Sequence, residues 1–122
     1  MTPTFAQLSA DLDGIPSARL SDDQDLAGLL LAAANAAGLT PATAPIAKIG
    51  PGGVGAVLLC HGGHVLLHGV PEAGCCFVDV AGLGAVALQR GMDVVLRRLG
   101  ARQVRTDRRR RGVREAAATE GE

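Results

Sequence analysis

The segment 54–80 constrains the fold more than any other part of the chain. It contains three apolar runs, at 54–61, 64–70 and 75–80, each too short for a stable helix. Short turns containing glycine or proline separate the runs, as is typical of strands. Strands joined by such short turns pair in antiparallel order. The segment therefore predicts an antiparallel three-stranded meander at the centre of the fold.

Two amphipathic helices flank this meander. Ser21 and Gln24 match a capping box, and leucines and alanines at helical spacing follow as far as Gly38, which predicts a helix over 22–37. A second helical pattern runs over 85–99 and ends at Gly100. Alternating segments at 5–12, 40–49 and 103–107 predict three more strands.

The order β-α-β-β-β-β-α-β predicts an α+β two-layer sandwich, with an antiparallel sheet covered on one face by both helices. The uncovered sheet face would remain apolar, so we expect dimerisation through the sheets. The length of 122 residues fits one domain, which we place at 1–112. Residues 113–122 are polar and predict a disordered tail.

The amino-acid composition limits which binding partners and which cellular compartment are expected for this protein. Formal charge is zero overall, with a basic end over 97–114, but the chain has two phenylalanines and no Trp or Tyr. RNA recognition commonly uses exposed aromatics, so the basic end favours a solvated edge strand over a nucleic-acid surface. No apolar run approaches the roughly 20 residues that span a bilayer, and no signal peptide is evident. Three cysteines form no secreted disulfide framework, and we predict a cytoplasmic protein.

Two histidines flank the Gly62-Gly63 pair, which predicts a two-residue hairpin turn because both central positions need positive φ. His61 and His64 would then face each other with Cβ atoms about 5 Å apart, close enough to bind one metal ion. His68 would lie roughly 13 Å along the strand, too far to join them. A metal- or small-ligand-binding protein is therefore an alternative hypothesis.

The pattern His-x3-His-x2-Pro-Glu over 64–72, followed by Val-Asp-Val at 78–80, resembles the bacterial, pyruvoyl-dependent S-adenosylmethionine decarboxylases. The resemblance extends from about 11 to 112 and includes the turn 50–54. It implies the α+β sandwich, a dimer, an S-adenosylmethionine-like ligand and a link to spermidine and polyamine biosynthesis.

The residues that perform the family's chemistry are missing. In the family a serine attacks its preceding peptide carbonyl and becomes the pyruvoyl group; here the matching residue is Gly63, which has no nucleophile. The family's proton-donating cysteine falls on Leu83, which cannot exchange a proton. A further serine falls on Gly55. Cys60 is a poor substitute, because an odd shift along a strand predicts that it points to the opposite face from position 63.

The ligand residues implied by the resemblance are only partly retained. The adenine-stacking aromatics fall on Ile49 and Val70, so no stacking platform is expected. His68, which assists processing in the family, remains, and Glu72 resembles the carboxylate that holds the ribose hydroxyls.

The sequence thus predicts a degenerate, non-catalytic family member without a pyruvoyl group or other cofactor. It would act as a homodimer, as a regulatory partner of an active relative, or as a binder of a nucleoside-like ligand. An active decarboxylase is the second alternative, and it would require a cleaved chain.

Overall fold

The computed structural model describes residues 3–113 as six strands and two α-helices, in the predicted order. The elements are β1 (Phe5–Asp13), a 3₁₀ turn (Ser17–Leu20), α1 (Asp23–Ala37), β2 (Ile46–Gly50), β3 (Gly53–Cys60), β4 (Gly63–Val70), β5 (Cys75–Leu83), α2 (Leu88–Leu99) and β6 (Gln103–Arg111). The tail predicted at 113–122 lies outside the described residues, except for Val113.

All six strands form one antiparallel sheet in the order β2-β3-β4-β5-β1-β6. The meander β3-β4-β5 lies inside it, and β1 pairs with both β5 and β6. The sheet and the two helices confirm the predicted α+β class. Neither helix of residues 3–113 has the length and apolar character needed to cross a membrane.

One face of the sheet packs against the helices and forms the core. Side chains alternate along a strand, so every second residue points to this face. Leu58, Leu67 and Val80 on the strands are fully buried in one cluster with Leu30 and Met92 on the helices. Burying each such leucine contributes about 1.5–3 kcal/mol, so this face dominates the stability of the fold.

The first helix begins one residue later than predicted. Asp22 is its N-cap, and its carboxylate accepts hydrogen bonds from the backbone N–H of Gln24 at 3.0 Å and of Asp25 at 3.1 Å. The predicted cap, Ser21, instead donates its hydroxyl to the carbonyl of Ser17 at 2.7 Å. The capping-box prediction is therefore wrong by one position, whereas Gly38 ends the helix with φ of 80° as predicted.

The β3–β4 hairpin differs from the prediction by one residue. Its turn is His61–Gly62, and of the two only Gly62 has positive φ, at 74°. Gly63 is already in β4, where it pairs with Cys60, and His64 pairs with Leu59. The predicted facing pair of His61 and His64 is therefore wrong. The predicted opposite orientation of Cys60 and Gly63 is also wrong, because cross-strand partners share a face.

The edge strands differ in length from their predictions. β2 is shorter than predicted, and Pro41 forms only an isolated bridge with Cys60. Proline cannot donate to a ladder, which explains the late start of the strand. β6 is longer, because its arginines continue to pair with β1 as far as Arg111 opposite Phe5.

Candidate functional site

The face of the sheet opposite the helices, here called the open face, exposes large apolar side chains. Leu59 is 55% exposed and Phe77 is 51% exposed. The other large apolar side chains exposed on this face are Ile46, Val57 and Leu83. These side chains lie on β2, β3 and β5, and exposed apolar side chains on one face of a sheet favour an interaction surface there. The open face is therefore the natural place to look for a functional site.

Gly63, the position that the resemblance assigns to the nucleophilic serine, faces the helices and is buried. A Cβ added there would collide with the carbonyl oxygen of Ala81. It would also lie 2.9 Å from Leu39 Cδ2 and 3.0 Å from Gly82 Cα. Two of these three neighbours are backbone atoms of β5, which cannot rotate away. No side chain fits at position 63 unless the two strands move apart.

Leu83, the position assigned to the proton donor, lies at the end of β5 beside the hairpin turn. Its backbone N–H donates to the carbonyl of Gly62 at 2.7 Å, so the fold does bring positions 62 and 83 together. Its side chain is 51% exposed on the open face, whereas Gly63 faces the helices. Positions 63 and 83 thus lie near each other, but neither Gly63 nor Leu83 carries a group that can transfer a proton.

A shallow hollow of about 440 Å³ opens on the sheet face where β2, β3 and β4 lie side by side. Gly55 forms part of its floor, and the imidazole of His68 leans over this glycine. A Cβ on Gly55 would lie 3.3 Å from both Cε1 and Nδ1 of that ring. Because Gly55 has no side chain, the His68 ring can pack over it, and the hollow can extend down to its backbone.

A second cavity of about 150 Å³ adjoins this hollow and is lined by Ile49, Val70 and Glu72, together with the glycine-rich turn 50–53. Ile49 and Val70 also line the larger hollow, alongside His68. The four residues predicted to bind a ligand thus surround two adjoining cavities. Both walls supplied by Ile49 and Val70 are aliphatic, so an aromatic ring would find no stacking partner at these two positions. Phe77 is the phenylalanine in the lining of the larger hollow.

The polar cluster around Asp79 is a feature that the sequence did not single out. Asp79 accepts a hydrogen bond from Ser9 Oγ at 2.7 Å and from Gln7 Nε2 at 2.9 and 3.0 Å. His64 Nε2 lies 3.5 Å from the same carboxylate but is not aligned for a hydrogen bond. The alternation of polar residues in β1 was the available signal, yet only the register with β5 brings these side chains together.

The histidines do not assemble into a metal site in the described part of the chain. His61 lies in the exposed turn, while His64 lies beside Asp79 and within 6.1 Å of the Phe5 ring centroid. Residues 3–113 contain no group of three or more His, Cys, Asp or Glu side chains placed to hold a metal ion. The hypothesis of a metal between His61 and His64 therefore loses its geometric basis.

The buried cysteines are poor nucleophiles. Burial, reinforced by the neighbouring Cys75 thiol, raises the pKa of Cys76 to about 12. Burial also raises the pKa of Cys60, the cross-strand partner of Gly63. Because the thiolate is the reactive form, neither thiol is activated for attack on a peptide carbonyl.

These observations define an α+β sandwich whose sheet carries a hollow and an apolar surface on its open face. The chain belongs to the S-adenosylmethionine decarboxylase family, because residues 6–112 match the sequence model of that family. It is 28% identical over 114 residues to the S-adenosylmethionine decarboxylase proenzyme of Aquifex aeolicus (strain VF5), an alignment that covers 93% of this chain and 84% of that protein.

The fold is similar to the crystal structure of the adenosylmethionine decarboxylase from the same organism. The TM-score is 0.82 at 24% identity, and the alignment covers 92% of this chain and 93% of that one. The family predicted from the His, Pro-Glu and Val-Asp-Val pattern is thus confirmed, and so is the sandwich fold.

Proposed function

We propose that this chain is a member of the S-adenosylmethionine decarboxylase family that neither processes itself nor decarboxylates, and that acts by binding. The observation that carries the proposal is Gly63. A pyruvoyl group retains the Cβ of its parent serine as the methyl carbon, and glycine has no such atom. The residues present therefore do not fit a pyruvoyl group at this position.

The packing around Gly63 supports the same proposal independently of residue identity. The backbone of β5 and the side chain of Leu39 close the space that a nucleophilic side chain would need. Cys60 shares a face with Gly63, but its thiol is buried and its pKa is raised. Neither a nucleophile at position 63 nor a substitute beside it is therefore available for an acyl shift.

The second chemical function that is missing is the proton donor, because Leu83 occupies its position. Decarboxylation of an amino acid ends with protonation of a carbanion, which requires a positioned acid. An alkyl side chain at the position assigned to that acid supplies no proton, even if a carbonyl cofactor reached the site from another source.

The open face provides the means of action that we propose, namely association with a second copy or with an active relative of the same fold. Leu59, Phe77 and Leu83 are each more than half exposed there. Burial of such a surface is worth about 25 cal/mol per Å² of apolar area, which favours a sheet-to-sheet contact. Through this contact, or through a ligand in the hollow, the protein would act in polyamine metabolism without turnover.

The proposal is tested by an assay of CO₂ release from carboxyl-labelled S-adenosylmethionine, with an active family enzyme as the positive control. The expected result is release no greater than in buffer. Release that scales with protein concentration and is lost in Glu72→Gln would contradict the proposal.

A further inference from the structure

Lys48, the only lysine in the sequence, lies at the edge of the hollow on the open face. It pairs across the strands with Gly55, and Gly55 pairs with His68. The three positions therefore form a row across β2, β3 and β4. Neighbouring strands are about 4.8 Å apart, so the backbones of Lys48 and His68 are separated by roughly 10 Å with no side chain between them.

Among the described residues, the hollow is lined by basic side chains and by no acidic ones. Its lining contains Lys48 and His68 and, within residues 3–113, no Asp or Glu. Lys48 is exposed and forms no ion pair in that part of the chain. The Cε1 and Nδ1 atoms of His68 are the ring atoms nearest to Gly55, the residue that lies between His68 and Lys48 in the row.

Of the other carboxylates on the same face, Asp79 and Asp11 have partners, and Asp107 lies on β6, at the opposite edge of the sheet from Lys48. Asp79 accepts from Gln7 and Ser9, and Asp11 accepts from Arg105 Nη2 at 2.9 Å. Glu72 lines the adjoining cavity and not this hollow. No described carboxylate therefore neutralises Lys48, and an anion entering the hollow would meet uncompensated positive charge.

The rest of the lining is apolar. Ile49, Val70 and Phe77 surround the glycine floor, so binding would transfer the apolar body of an occupant from water to an apolar surface, which is favourable. Pockets of this kind use a few polar groups to orient a ligand whose remaining surface is apolar.

We propose that this hollow binds a small organic oxyanion, a carboxylate or a phosphate monoester on an apolar body, with its oxygens between Lys48 Nζ and His68 Nδ1. The inference rests on the proposed function, because it treats the hollow as a binding site and not as a site of covalent chemistry. It goes further by fixing the sign of the ligand's charge.

The test uses four probes of similar size, which are 4-isopropylbenzoate, phenyl phosphate, the neutral 4-isopropylbenzamide and the cationic 4-isopropylbenzylamine. Each is titrated into ¹⁵N-labelled full-length protein, with the amide resonances of Gly55, His68 and Gly69 as reporters. The benzoate, the phosphate or both are expected to bind at least about fivefold more tightly than the amide, and the amine more weakly still. The tighter of the two anions identifies which oxyanion the hollow prefers.

The variant Lys48→Met is expected to abolish the preference for the anions, while Lys48→Arg retains it. Arg97→Met is the matched control, because it removes one exposed charge from α2 and leaves the hollow intact. Equal affinity for benzoate and amide, no shift at the reporter residues with any probe, or anion binding unchanged in Lys48→Met would each overturn the inference.

The denatured mass of the same samples separates the two proposals. A full-length chain that binds benzoate and amide equally contradicts only the ligand class. A cleaved chain contradicts the proposed function, whichever probe binds.

Discussion

The carbonyl oxygen of Ala81 occupies the space that a Cβ on Gly63 would need. Gly63 and Gly82 are cross-strand partners, so backbone approaches backbone at this point with no side chain between the strands. Leu39, from the loop after α1, closes the space on the helix side. The position that carries the chemistry in the family resemblance is here part of the core packing.

Replacing Gly63 with serine should therefore destabilise the fold and still fail to restore processing. Overpacking of a core position costs about 1–3 kcal/mol, and here much of the strain would fall on the backbone of β5. Urea denaturation of Gly63→Ser measures the loss. Gly50→Ser is the matched control, since Gly50 is an exposed strand glycine with nothing within 4 Å of an added Cβ. Wild-type stability in Gly63→Ser would show that the space is available after all.

If the protein dimerises through the open face, one charged residue introduced into that face should dissociate the dimer. Leu59→Lys places an ammonium group in the apolar patch, where burial without a partner is costly. Sedimentation across micromolar concentrations should give a dimer for the wild type and a monomer for this variant. Leu31→Lys, at a residue 41% exposed on α1, should leave the dimer intact. A monomeric wild type, or equal dissociation of both variants, would exclude this surface.

The cluster at Asp79 should link β1 to β5 energetically. Ser9→Ala removes a hydrogen bond to a carboxylate and should cost about 1 kcal/mol, because the bond is partly exposed. In an Asp79→Ala background the same change should cost almost nothing, which gives a coupling energy of at least about 0.5 kcal/mol. A double-mutant cycle by chemical denaturation measures it. Additive losses from the two substitutions would show that the hydrogen bond contributes nothing.

Alkaline pH should destabilise the fold through Cys76. Its pKa is about 12 in the fold because of burial and the adjacent Cys75, against a usual value of 9.0. Stability is therefore complete below pH 9 and falls between pH 9 and 12, where only the unfolded chain releases the thiol proton. The free energy of unfolding should fall by up to about 1.4 kcal/mol per pH unit over that range.

The matched control for this pH dependence is Cys76→Ala, which lacks the thiol and should show a shallower slope. The chain contains no tyrosine and a single lysine, and Cys76→Ala retains Cys60, whose pKa burial also raises, so the difference in slope reports Cys76 alone. Identical slopes for the two proteins between pH 9 and 10.5 would contradict the assignment to Cys76.

Periodicity within the chain was sufficient to predict the sandwich. The short apolar runs in the segment 54–80 and the turns between them gave the meander, and apolar residues at helical spacing gave both helices. The sequence pattern did not predict which residue caps α1, because two neighbouring residues compete for that position. Ser21 and Asp22 are both good N-caps, and the carbonyl of Ser17, which recruits the Ser21 hydroxyl, is a contact that a capping pattern does not encode.

The hairpin error has a non-local origin. Two consecutive glycines suggested that both belong to the turn, yet only Gly62 has positive φ. Gly63 is glycine for another reason, namely the close approach of Ala81 and Leu39. That approach depends on how β5 and the loop after α1 pack against β4, which no local pattern reveals. The row of Lys48, Gly55 and His68 likewise requires the register of three strands.

The most direct test of the central claim is the denatured mass of untagged protein purified from its own host. We expect a single uncleaved chain that runs through Gly62 and Gly63, with no keto group at a new N-terminus. Two fragments from cleavage between Gly62 and Gly63, with a reactive carbonyl on the C-terminal one, would show that the chain processes itself and would restore the decarboxylase.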